Sequence, residues 1–334
     1  MRAVVLVGGF GTRLRPLTNH IPKPMLPIGH RPMIERLVNR LGRGGVTEVV
    51  LALGFKPEPF IKAFPNSRCG DVKLTYAVEP APLDTGGAIK FAANKAGIDG
   101  TFVVANGDVL TDLDVEELVA AHRRHKAEAT LHLTGVDDPS AFGVVALGDG
   151  DRITDFVEKP ALGTEPSNLI NAGTYVFEPS VLDRIPDNER VSVERSTFPL
   201  LAEAGRLYGH ATPDYWIDAG RPDLYRAANL DLLDEKRSNV HCEAVSRTAN
   251  VDTAAMILNS IIGDGAVVAP GARIVDSVLL PGAQVGSAAT IEASLVMGRV
   301  GDGARVDASM VGVEGVVPDG AAVTASTVPE VPAS

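Results

Sequence analysis

The sequence predicts an α/β domain with a doubly wound, mostly parallel sheet, followed by a parallel β-helix. Its 334 residues are many for one domain and suit two. Over the first two thirds, short apolar runs alternate with amphipathic stretches, the order of a parallel sheet with crossover helices. After residue 249 aromatic residues are absent, and a small-residue turn with an aliphatic residue recurs about every six positions, as in hexapeptide β-helices. We therefore predict domains at residues 1–238 and 250–328.

The composition argues against several classes of protein. The formal net charge is −11 and no basic stripe occurs, so we expect no nucleic-acid partner. No apolar run reaches membrane-spanning length, and no basic segment with a long apolar one opens the chain, so we expect neither a membrane partner nor secretion. Cys69 and Cys242 lack metal-binding spacing, which predicts reduced thiols and a cytoplasmic location.

The first element is an apolar strand at Ala3–Val7 that ends in a glycine turn, Gly8-Gly9-Phe10-Gly11. Arginines and a lysine follow, and no acidic residue precedes Glu35 although the protein as a whole is acidic. A glycine turn followed by fixed cations favours a polyphosphate site, whereas a plain surface turn with arginines is the alternative. Neither the P-loop nor the dinucleotide fingerprint fits this spacing.

The motifs that follow carry a resemblance to a known family. The runs GGFGTRLRPLT (8–18) and PKPMLP (22–27) resemble the signature of sugar-1-phosphate nucleotidyltransferases. The resemblance implies a Rossmann-like nucleotidyltransferase domain and an enzyme that transfers a nucleotidyl group from a nucleoside triphosphate to a sugar-1-phosphate. It also implies pyrophosphate release and a Mg²⁺ cofactor. The phosphate nucleophile is already ionised at neutral pH, so no general base is required.

Further elements follow in the order that a doubly wound sheet requires. We predict helices at residues 33–45, 59–64, 84–96, 115–125, 181–185 and 222–235, and strands at 49–53, 74–78, 101–105, 129–134, 143–146, 153–158 and 171–177. In such sheets ligands lie at the carboxyl ends of the strands, so the glycine turn, the turn at Thr85 and Asp108 are expected to share one crevice.

The resemblance also implies which residues bind the nucleotide. These are Leu6, Gly8, Gly9, Gly11, Thr12, Arg13, Lys23, Glu79, Asp84, Thr85, Gly86 and Gly107. A carboxylate at Glu79 could accept hydrogen bonds from two N–H groups of guanine but from only one of uracil or thymine. Asp84 stands where the family commonly has glycine; aspartate tolerates a positive φ better than most residues, but its charge leaves the choice of base open.

Catalytic roles are implied for Arg13, Lys23 and Asp108. The always-charged guanidinium of Arg13 suits the α-phosphate, and Lys23 is held between two prolines. Asp108 and Asp218 match the family's metal positions, and Mg²⁺ is typically held by one or two carboxylates with phosphates and water. We predict Asp114 and Asp112 as helix-capping residues instead.

On the sugar side, the resemblance implies a binding set of five residues: Gly143, Glu158, Lys159, Asn171 and Gly173. The glutamate is expected to bind sugar hydroxyls and the lysine the sugar phosphate. An ordinary charge pair at the end of a strand is the alternative for Glu158 and Lys159.

The C-terminal repeat resembles the left-handed β-helix that many of these transferases carry. Hexapeptide acyltransferases need a histidine in the coils, and none follows His241. We therefore predict a structural or oligomerisation part, with a homo-oligomer formed through the β-helix.

Details such as FGVV (142–145) and SVER (192–195) look most like the bacterial mannose-1-phosphate guanylyltransferases. The implied reaction is GTP with mannose-1-phosphate to give GDP-mannose. Two alternatives stay open: glucose-1-phosphate with UTP or dTTP, and a non-catalytic subunit that senses nucleotide sugars through its β-helix.

Overall fold

The computed structural model describes residues 1–9, 11–54, 57–234, 237, 240 and 242–331. These residues form two compact units. The first unit contains residues 1–9 and 34–216, and the second the described residues of 10–33 and 217–334. Phe10 of the predicted glycine turn, the predicted helix end at Glu235 and the predicted domain end at Ser238 lie outside the described residues.

Helices and strands alternate through the first two thirds of the described chain, as predicted. The helices are α1 (Met33–Arg43), α2 (Glu58–Ala63), α3 (Asp84–Lys95), α4 (Val115–His125), α5 (Ser180–Asp183), α6 (Phe198–Glu203) and α7 (Pro222–Leu230). The strands are β1 (Arg2–Leu6), β2 (Pro27–Ile28), β3 (Arg31–Pro32), β4 (Glu48–Leu53), β5 (Arg68–Cys69), β6 (Val72–Val78), β7 (Phe102–Asn106), β8 (Val109–Thr111), β9 (Ala129–Gly135), β10 (Gly143–Leu147), β11 (Ile153–Glu158), β12 (Leu169–Phe177), β13 (Leu207–Ala211) and β14 (Trp216–Asp218). The predicted capping role of Asp114 is confirmed, since its carboxylate accepts the N–H groups of Glu116 and Glu117 at the start of α4.

The centre of the main sheet consists of four parallel strands in the order β7-β1-β4-β6. Antiparallel strands extend it beyond β7, where β12 pairs with β7, β10 and β9, and β10 pairs with β11. Since β4 and β6 lie on one side of β1 and β7 on the other, the strand order reverses beside β1. Ligands of doubly wound sheets bind at this reversal, beyond the carboxyl ends of the strands.

The apolar residues of these strands form the core of the first unit. Val4, Val104, Tyr175 and Phe177 are fully buried, and helices α3 and α6 cover them with Ile89, Phe198 and other side chains. The core therefore fixes the positions at which β1 and β7 end.

The C-terminal residues form a parallel β-helix of three sheets, each with five strands among the described residues. Its strands are β15 (Asn250–Val251), β16 (Met256–Leu258), β17 (Ile261–Ile262), β18 (Val267–Val268), β19 (Arg273–Val275), β20 (Val278–Leu279), β21 (Gln284–Val285), β22 (Thr290–Glu292), β23 (Leu295–Val296), β24 (Arg299–Val300), β25 (Arg305–Asp307), β26 (Met310–Val311), β27 (Val316–Val317), β28 (Ala322–Thr324) and β29 (Thr327–Val328). The described residues therefore form five rungs.

A column of serines fastens successive rungs of the β-helix. The N–H of Ser277 donates to Ser260 Oγ at 3.0 Å, and the N–H of Ser294 donates to Ser277 Oγ at 3.0 Å. Each of these hydroxyls donates to the carbonyl two residues earlier, so every buried serine is satisfied. With the aliphatic column inside the coil, this makes the β-helix a rigid support.

Residues 11–33, here called the signature segment, belong to the second unit together with α7 and the β-helix. The N–H of Gly29 donates to Asn229 Oδ1 at 2.8 Å, and the hydroxyl of Tyr225 donates to the carbonyl of Pro27 at 2.5 Å. Arg226 of α7 donates to the carbonyl of Asp276 in the β-helix at 2.9 Å.

In the described part of the chain, no helix is both long and apolar enough to cross a membrane.

Candidate active site

The glycine turn after β1 lies where the strand order of the sheet reverses, and it leaves the backbone accessible to a ligand. A Cβ on Gly8 would lie 3.2 Å from the amide nitrogen of Gly54 and 3.6 Å from Glu79 Oε1, whereas one on Gly9 would meet nothing within 4 Å. Gly8 is thus closely packed on one side, and Gly9 faces open space. A flat ligand could approach the backbone there without meeting a side chain.

The end of β7 is pressed against the end of β1. Gly107 donates its N–H to the carbonyl of Leu6 at 2.8 Å, and a Cβ on Gly107 would lie 2.7 Å from that oxygen. Only glycine fits here without a shift of the backbone. The predicted metal ligand Asp108 follows directly and is half-buried.

Glu79 follows β6 directly and lies beside Gly8 of the glycine turn. Its side chain is 8% exposed, and its Oε2 accepts the N–H of Leu83 at 3.0 Å. Burial raises the pKa of this carboxyl, and the hydrogen bond from Leu83 partly offsets that effect. The other oxygen points toward Gly8, where an acceptor for a base edge was predicted.

Helix α3 begins with a strained residue. Asp84 has φ +60°, the conformation anticipated for this departure from the family's glycine, and its carboxylate accepts the N–H of Thr85 at 2.8 Å. The N–H groups of Gly86 and Gly87 both donate to the carbonyl of Val191, at 2.7 and 3.2 Å. The N–H of Gly86, a predicted nucleotide-binding residue, therefore already has a partner within the chain.

The residues from Ser192 to Arg195 form a contact that the sequence did not reveal. The hydroxyl of Thr85 donates to Glu194 Oε2 at 2.6 Å and accepts the N–H of Val193 at 2.9 Å. Ser192 Oγ donates to the same Glu194 oxygen at 2.7 Å. Thr85 is thus held by a segment more than a hundred residues further along the chain, and the contact of Glu194 with this predicted nucleotide-binding residue was not predicted.

The predicted sugar residues of β10 and β11 lie together. Gly143 is paired with Glu158 across the two strands, and a Cβ on Gly143 would lie 2.9 Å from Glu158 Oε2. Burial raises the pKa of Glu158, the negative charge of Glu194 adds to this, and Lys159 and Arg195 oppose it. Lys159 has φ +53°, and its Nζ lies 3.9 Å from Glu158 Oε1 in an exposed position.

Asn171 and Gly173 form a bulge at the start of β12. The Oδ1 of Asn171 accepts the N–H of Gly173 at 3.0 Å, while its Nδ2 donates to the hydroxyl of Tyr175 at 3.0 Å. Gly173 has φ +75°, and a Cβ there would lie 2.8 Å from the side-chain nitrogen Nδ2 of Asn106, at the end of β7. The bulge therefore brings the predicted sugar residues to the end of the strand that precedes Asp108.

A cavity of about 610 Å³ has a lining that includes Thr134, Thr212, Asp214 and Trp216, and none of the five predicted sugar-binding residues is part of that lining. The indole N–H of Trp216 donates to the carbonyl of Ala172 at 2.9 Å, within the bulge. A mixed wall of hydroxyls, a carboxylate and an aromatic ring suits a polyhydroxylated ligand.

In the second unit, three predicted charged residues meet around Gly220. A Cβ on Gly220 would lie 2.8 Å from Asp218 Oδ1, 2.8 Å from Lys23 Nζ and 3.2 Å from Arg13 Nη2. Asp218 Oδ1 also accepts the N–H of Gly220 at 2.8 Å and lies 4.0 Å from Lys23 Nζ. Two cationic side chains thus lie together at Gly220, and cations of this kind are the usual partners of phosphate groups.

The local fold of the signature segment explains this convergence. Gly11 has φ +60°, and a Cβ there would lie 3.1 Å from the Cβ of Lys23 and from the methyl group of Thr18. The hydroxyl of Thr18 donates to the carbonyl of Gly11 at 2.8 Å, and a 3₁₀ turn over Thr12–Leu14 follows. Arg13 is exposed, whereas Lys23 is buried.

Both predicted metal ligands, Asp108 and Asp218, are carboxylates, the ligand type that hard divalent cations prefer. Among the described residues, no group of three or more histidine, cysteine, aspartate or glutamate side chains could hold a metal. A site made of one or two carboxylates that is completed by substrate phosphates is how proteins usually hold Mg²⁺. Asp108 and Asp218 stay the predicted ligands.

Comparisons with known proteins show the family to which the chain belongs. The nucleotidyl transferase family model matches residues 2–235, and a GlmU-like C-terminal hexapeptide model matches residues 244–328, as expected for a left-handed β-helix. A mannose-1-phosphate guanylyltransferase of Mycobacterium tuberculosis is 40% identical over 80% of this chain and 77% of its own. Mannose-1-phosphate guanylyltransferase 1 of Arabidopsis thaliana is 38% identical over 81% of this chain and 75% of its own. The crystal structure of HddC from Yersinia pseudotuberculosis has a TM-score of 0.59 at 30% identity and covers 68% of this chain and 97% of that one.

Proposed function

Because the chain belongs to the nucleotidyl transferase family, we propose that it transfers a guanylyl group from GTP to mannose-1-phosphate. The products would be GDP-mannose and pyrophosphate. The chain is a sugar-1-phosphate nucleotidyltransferase, whose substrates are a nucleoside triphosphate and a sugar-1-phosphate. The names of the two relatives above support guanine as the base and mannose as the sugar.

The proposed chemistry is one displacement at phosphorus. A phosphate oxygen of mannose-1-phosphate forms a bond to the α-phosphorus of GTP, and the bond from that phosphorus to the bridging oxygen of the β-phosphate breaks. The electron pair leaves with pyrophosphate. Because both reactants are anions, the protein must mainly align them and balance the added negative charge.

The observation that carries the proposal is the meeting of Arg13, Lys23 and Asp218 around Gly220. Arg13, exposed and always charged, is assigned to the α-phosphate, where charge builds in the transition state. Lys23 is assigned to the β- and γ-phosphates. Its burial reduces solvent screening, so its charge acts more strongly on the leaving pyrophosphate.

Nucleotidyltransferases of this family generally use a divalent metal ion. We propose that the ion here is Mg²⁺ and that Asp108 and Asp218 hold it. When bound, the ion would neutralise phosphate charge and help to orient the triphosphate. The carboxylates contribute hard oxygen ligands, and the hydrogen bond from the Gly220 N–H to Asp218 Oδ1 orients one of them.

We propose that the base lies over Gly8 and Gly9 and that Glu79 accepts hydrogen bonds from guanine. The oxygen of Glu79 that does not bind Leu83 is the one directed toward Gly8. On the sugar side, Glu158 would accept mannose hydroxyls and Lys159 would bind the phosphate. Gly143, Asn171 and Gly173 would shape the rest of that pocket.

A cytoplasmic location and a homo-oligomer formed through the β-helix complete the proposal. Size-exclusion chromatography with light scattering on the full chain and on variants of the β-helix surface tests the second of these statements.

A substrate matrix tests the function. GTP, UTP, dTTP, ATP and CTP are each combined with mannose-, glucose-, galactose- and N-acetylglucosamine-1-phosphate in the presence of MgCl₂, and pyrophosphate is measured. We expect GTP with mannose-1-phosphate to give the highest kcat/KM. Preference for UTP or dTTP with glucose-1-phosphate would overturn the choice of substrates, and no turnover with any pair would favour a sensing subunit.

A further inference from the structure

The last rungs of the β-helix contact the signature segment directly. Gly312 follows β26 and is buried, and a Cβ there would lie 2.7 Å from the Cβ and 2.9 Å from the Cγ of Pro16. The carbonyl oxygen of Pro16 would be 3.2 Å away. Only a residue without a side chain lets Pro16 rest on this turn.

The turn that bears Gly312 cannot easily move aside. Gly312 donates its N–H to the carbonyl of Val328 in the next rung at 2.7 Å, and its own carbonyl accepts the N–H of Gly315 at 2.8 Å. The first hydrogen bond joins two rungs of the β-helix, and the second closes the turn itself. Pressure from a new side chain would therefore fall on Pro16 and not on the coil.

A short hydrogen-bonded path joins Pro16 to the phosphate-binding cations. Leu14 donates to the carbonyl of Gly11 at 3.0 Å, and Leu17 donates to the carbonyl of Leu14 at 2.9 Å. Leu14 and Leu17 are buried, so these turns are anchored on both sides of Pro16. Gly11 in turn packs on Lys23, and Arg13 lies within the same turn.

A second contact lies next to the first. His20 Nε2 is 3.2 Å from Glu314 Oε1, and both side chains are more than half exposed. Such a pair adds little stability by itself, but it ties the middle of the signature segment to the same turn of the β-helix.

We infer that the β-helix turn at residues 310–316 positions Arg13 and Lys23 for the triphosphate, and that Gly312 is its key positioning residue. This inference rests on the proposed function for its kinetic consequence. It gives the β-helix a part in nucleotide binding within its own chain, beyond a structural or oligomerisation role.

The test compares two glycines of the β-helix in the full chain. Gly312→Ala places a methyl group against Pro16, whereas Gly286→Ala places one 2.4 Å from Asp302 Oδ1, inside the β-helix alone. We expect Gly312→Ala to lower kcat/KM for GTP about 10- to 100-fold, since small misplacements of catalytic groups have effects of this size. The KM for mannose-1-phosphate should change less than about twofold, and Gly286→Ala should leave both values near wild type.

Hydrogen exchange supplies a readout that does not depend on turnover. In Gly312→Ala the amides of Leu14 and Leu17 should exchange faster than in the wild type, whereas in Gly286→Ala they should not. If wild type releases no pyrophosphate, the proposed function fails, but exchange still decides the inference. Equal exchange and equal GTP kinetics in the two variants would overturn it.

A milder pair of variants covers the case in which Gly312→Ala does not fold. Glu314→Lys places a cation opposite His20, and Glu292→Lys makes the same change at another exposed glutamate of the β-helix. Faster exchange across residues 11–25 in the first variant alone would support the inference. Identical exchange in both would contradict it.

Discussion

The two units carry candidate nucleotide-binding residues of different kinds. In the first unit the glycine turn after β1 offers backbone and open space, with one buried carboxylate, Glu79, at its edge. In the second unit Arg13, Lys23 and Asp218 offer charged side chains around Gly220. Shape and hydrogen bonding thus dominate one region, and charge dominates the other. Substitutions at Glu79 beside the glycine turn should alter which base is used, and substitutions of the cations around Gly220 should alter how fast any base is used.

The largest effects are expected at the two proposed metal ligands. Asp108→Asn or Asp218→Asn should lower kcat by well over tenfold while the chain stays folded, because each removes a negative ligand from the proposed metal. Turnover is measured over a MgCl₂ titration, with circular dichroism to check folding.

Asp114→Asn is the matched control, since asparagine also caps helices and Asp114 lies at the start of α4. Its turnover should equal that of the wild type. Near-normal rates in both Asp108→Asn and Asp218→Asn would refute the metal assignment.

A cation of the second unit comes next. Arg13→Lys keeps the charge but removes the planar fork, so we expect kcat to fall by about 10²-fold for GTP and for any slower triphosphate alike. Arg43→Lys, an exposed residue at the end of α1, serves as the control. If Arg13→Lys changed the preference between bases instead, the division between the two regions would be wrong.

The opposite behaviour is expected in the first unit. Glu79→Gln replaces one acceptor oxygen by a donor, so the ratio of kcat/KM for GTP to that for UTP should fall by about tenfold, which is the value of one mispaired hydrogen bond. Steady-state kinetics with both triphosphates measure it. A uniform loss with both bases would mean that Glu79 does not contact the base.

A smaller effect is expected from the pH dependence of the sugar side. Burial and the nearby Glu194 raise the pKa of Glu158, against the opposing charges of Lys159 and Arg195. Because the ionised form is the one that would accept sugar hydroxyls, the KM for mannose-1-phosphate should rise as the pH falls through this raised pKa, above the usual range of a glutamate.

The same raised pKa affects stability in the opposite direction: a higher pH favours sugar binding by Glu158 but lowers its contribution to the stability of the fold. The folded state holds the proton of Glu158 more tightly than the unfolded chain, so this residue contributes less to stability once the pH rises through the folded pKa. In Glu158→Gln both dependences should disappear. A KM profile that is unchanged in Glu158→Gln would exclude this residue from sugar binding.

The smallest effect concerns the strained start of α3. Asp84→Gly should change the free energy of unfolding by less than about 1 kcal/mol, since glycine accepts φ +60° but loses the hydrogen bond to Thr85. Asp84→Ala should lower the free energy of unfolding by about 1 kcal/mol. Alanine has the steric cost of a positive φ, and it lacks the side-chain hydrogen bond to the N–H of Thr85 that offsets this cost in Asp84. Urea unfolding of both variants decides, and a more stable Asp84→Ala would show that the positive φ carries no strain.

Local patterns predicted much of this molecule. The parallel strands β1 and β7, which precede Gly8 and Asp108, follow from unbroken apolar runs, and α4 begins after its predicted cap, Asp114. The hexapeptide period predicted the β-helix because each rung repeats the same small and aliphatic positions. These features depend on neighbours in the sequence, so a single chain is enough to predict them.

Contacts between distant residues were not predictable in this way. Thr85 and Glu194 are 109 positions apart. No repeating pattern in the sequence around either residue indicates that they are in contact. Gly312 occupies a turn in which the hexapeptide pattern favours small residues anyway, so its contact with Pro16 leaves no separate signal. The antiparallel strands beyond β7 were likewise predicted as strands without a direction.

Transfer of the α-phosphate is the central claim, and following that atom tests it most directly. The full chain is incubated with GTP labelled at the α-phosphorus, mannose-1-phosphate and MgCl₂, and the products are separated. We predict that the label appears in GDP-mannose with one unlabelled pyrophosphate for each sugar nucleotide formed. Label that stays in GTP, or that appears only in GMP or GDP, would contradict the account.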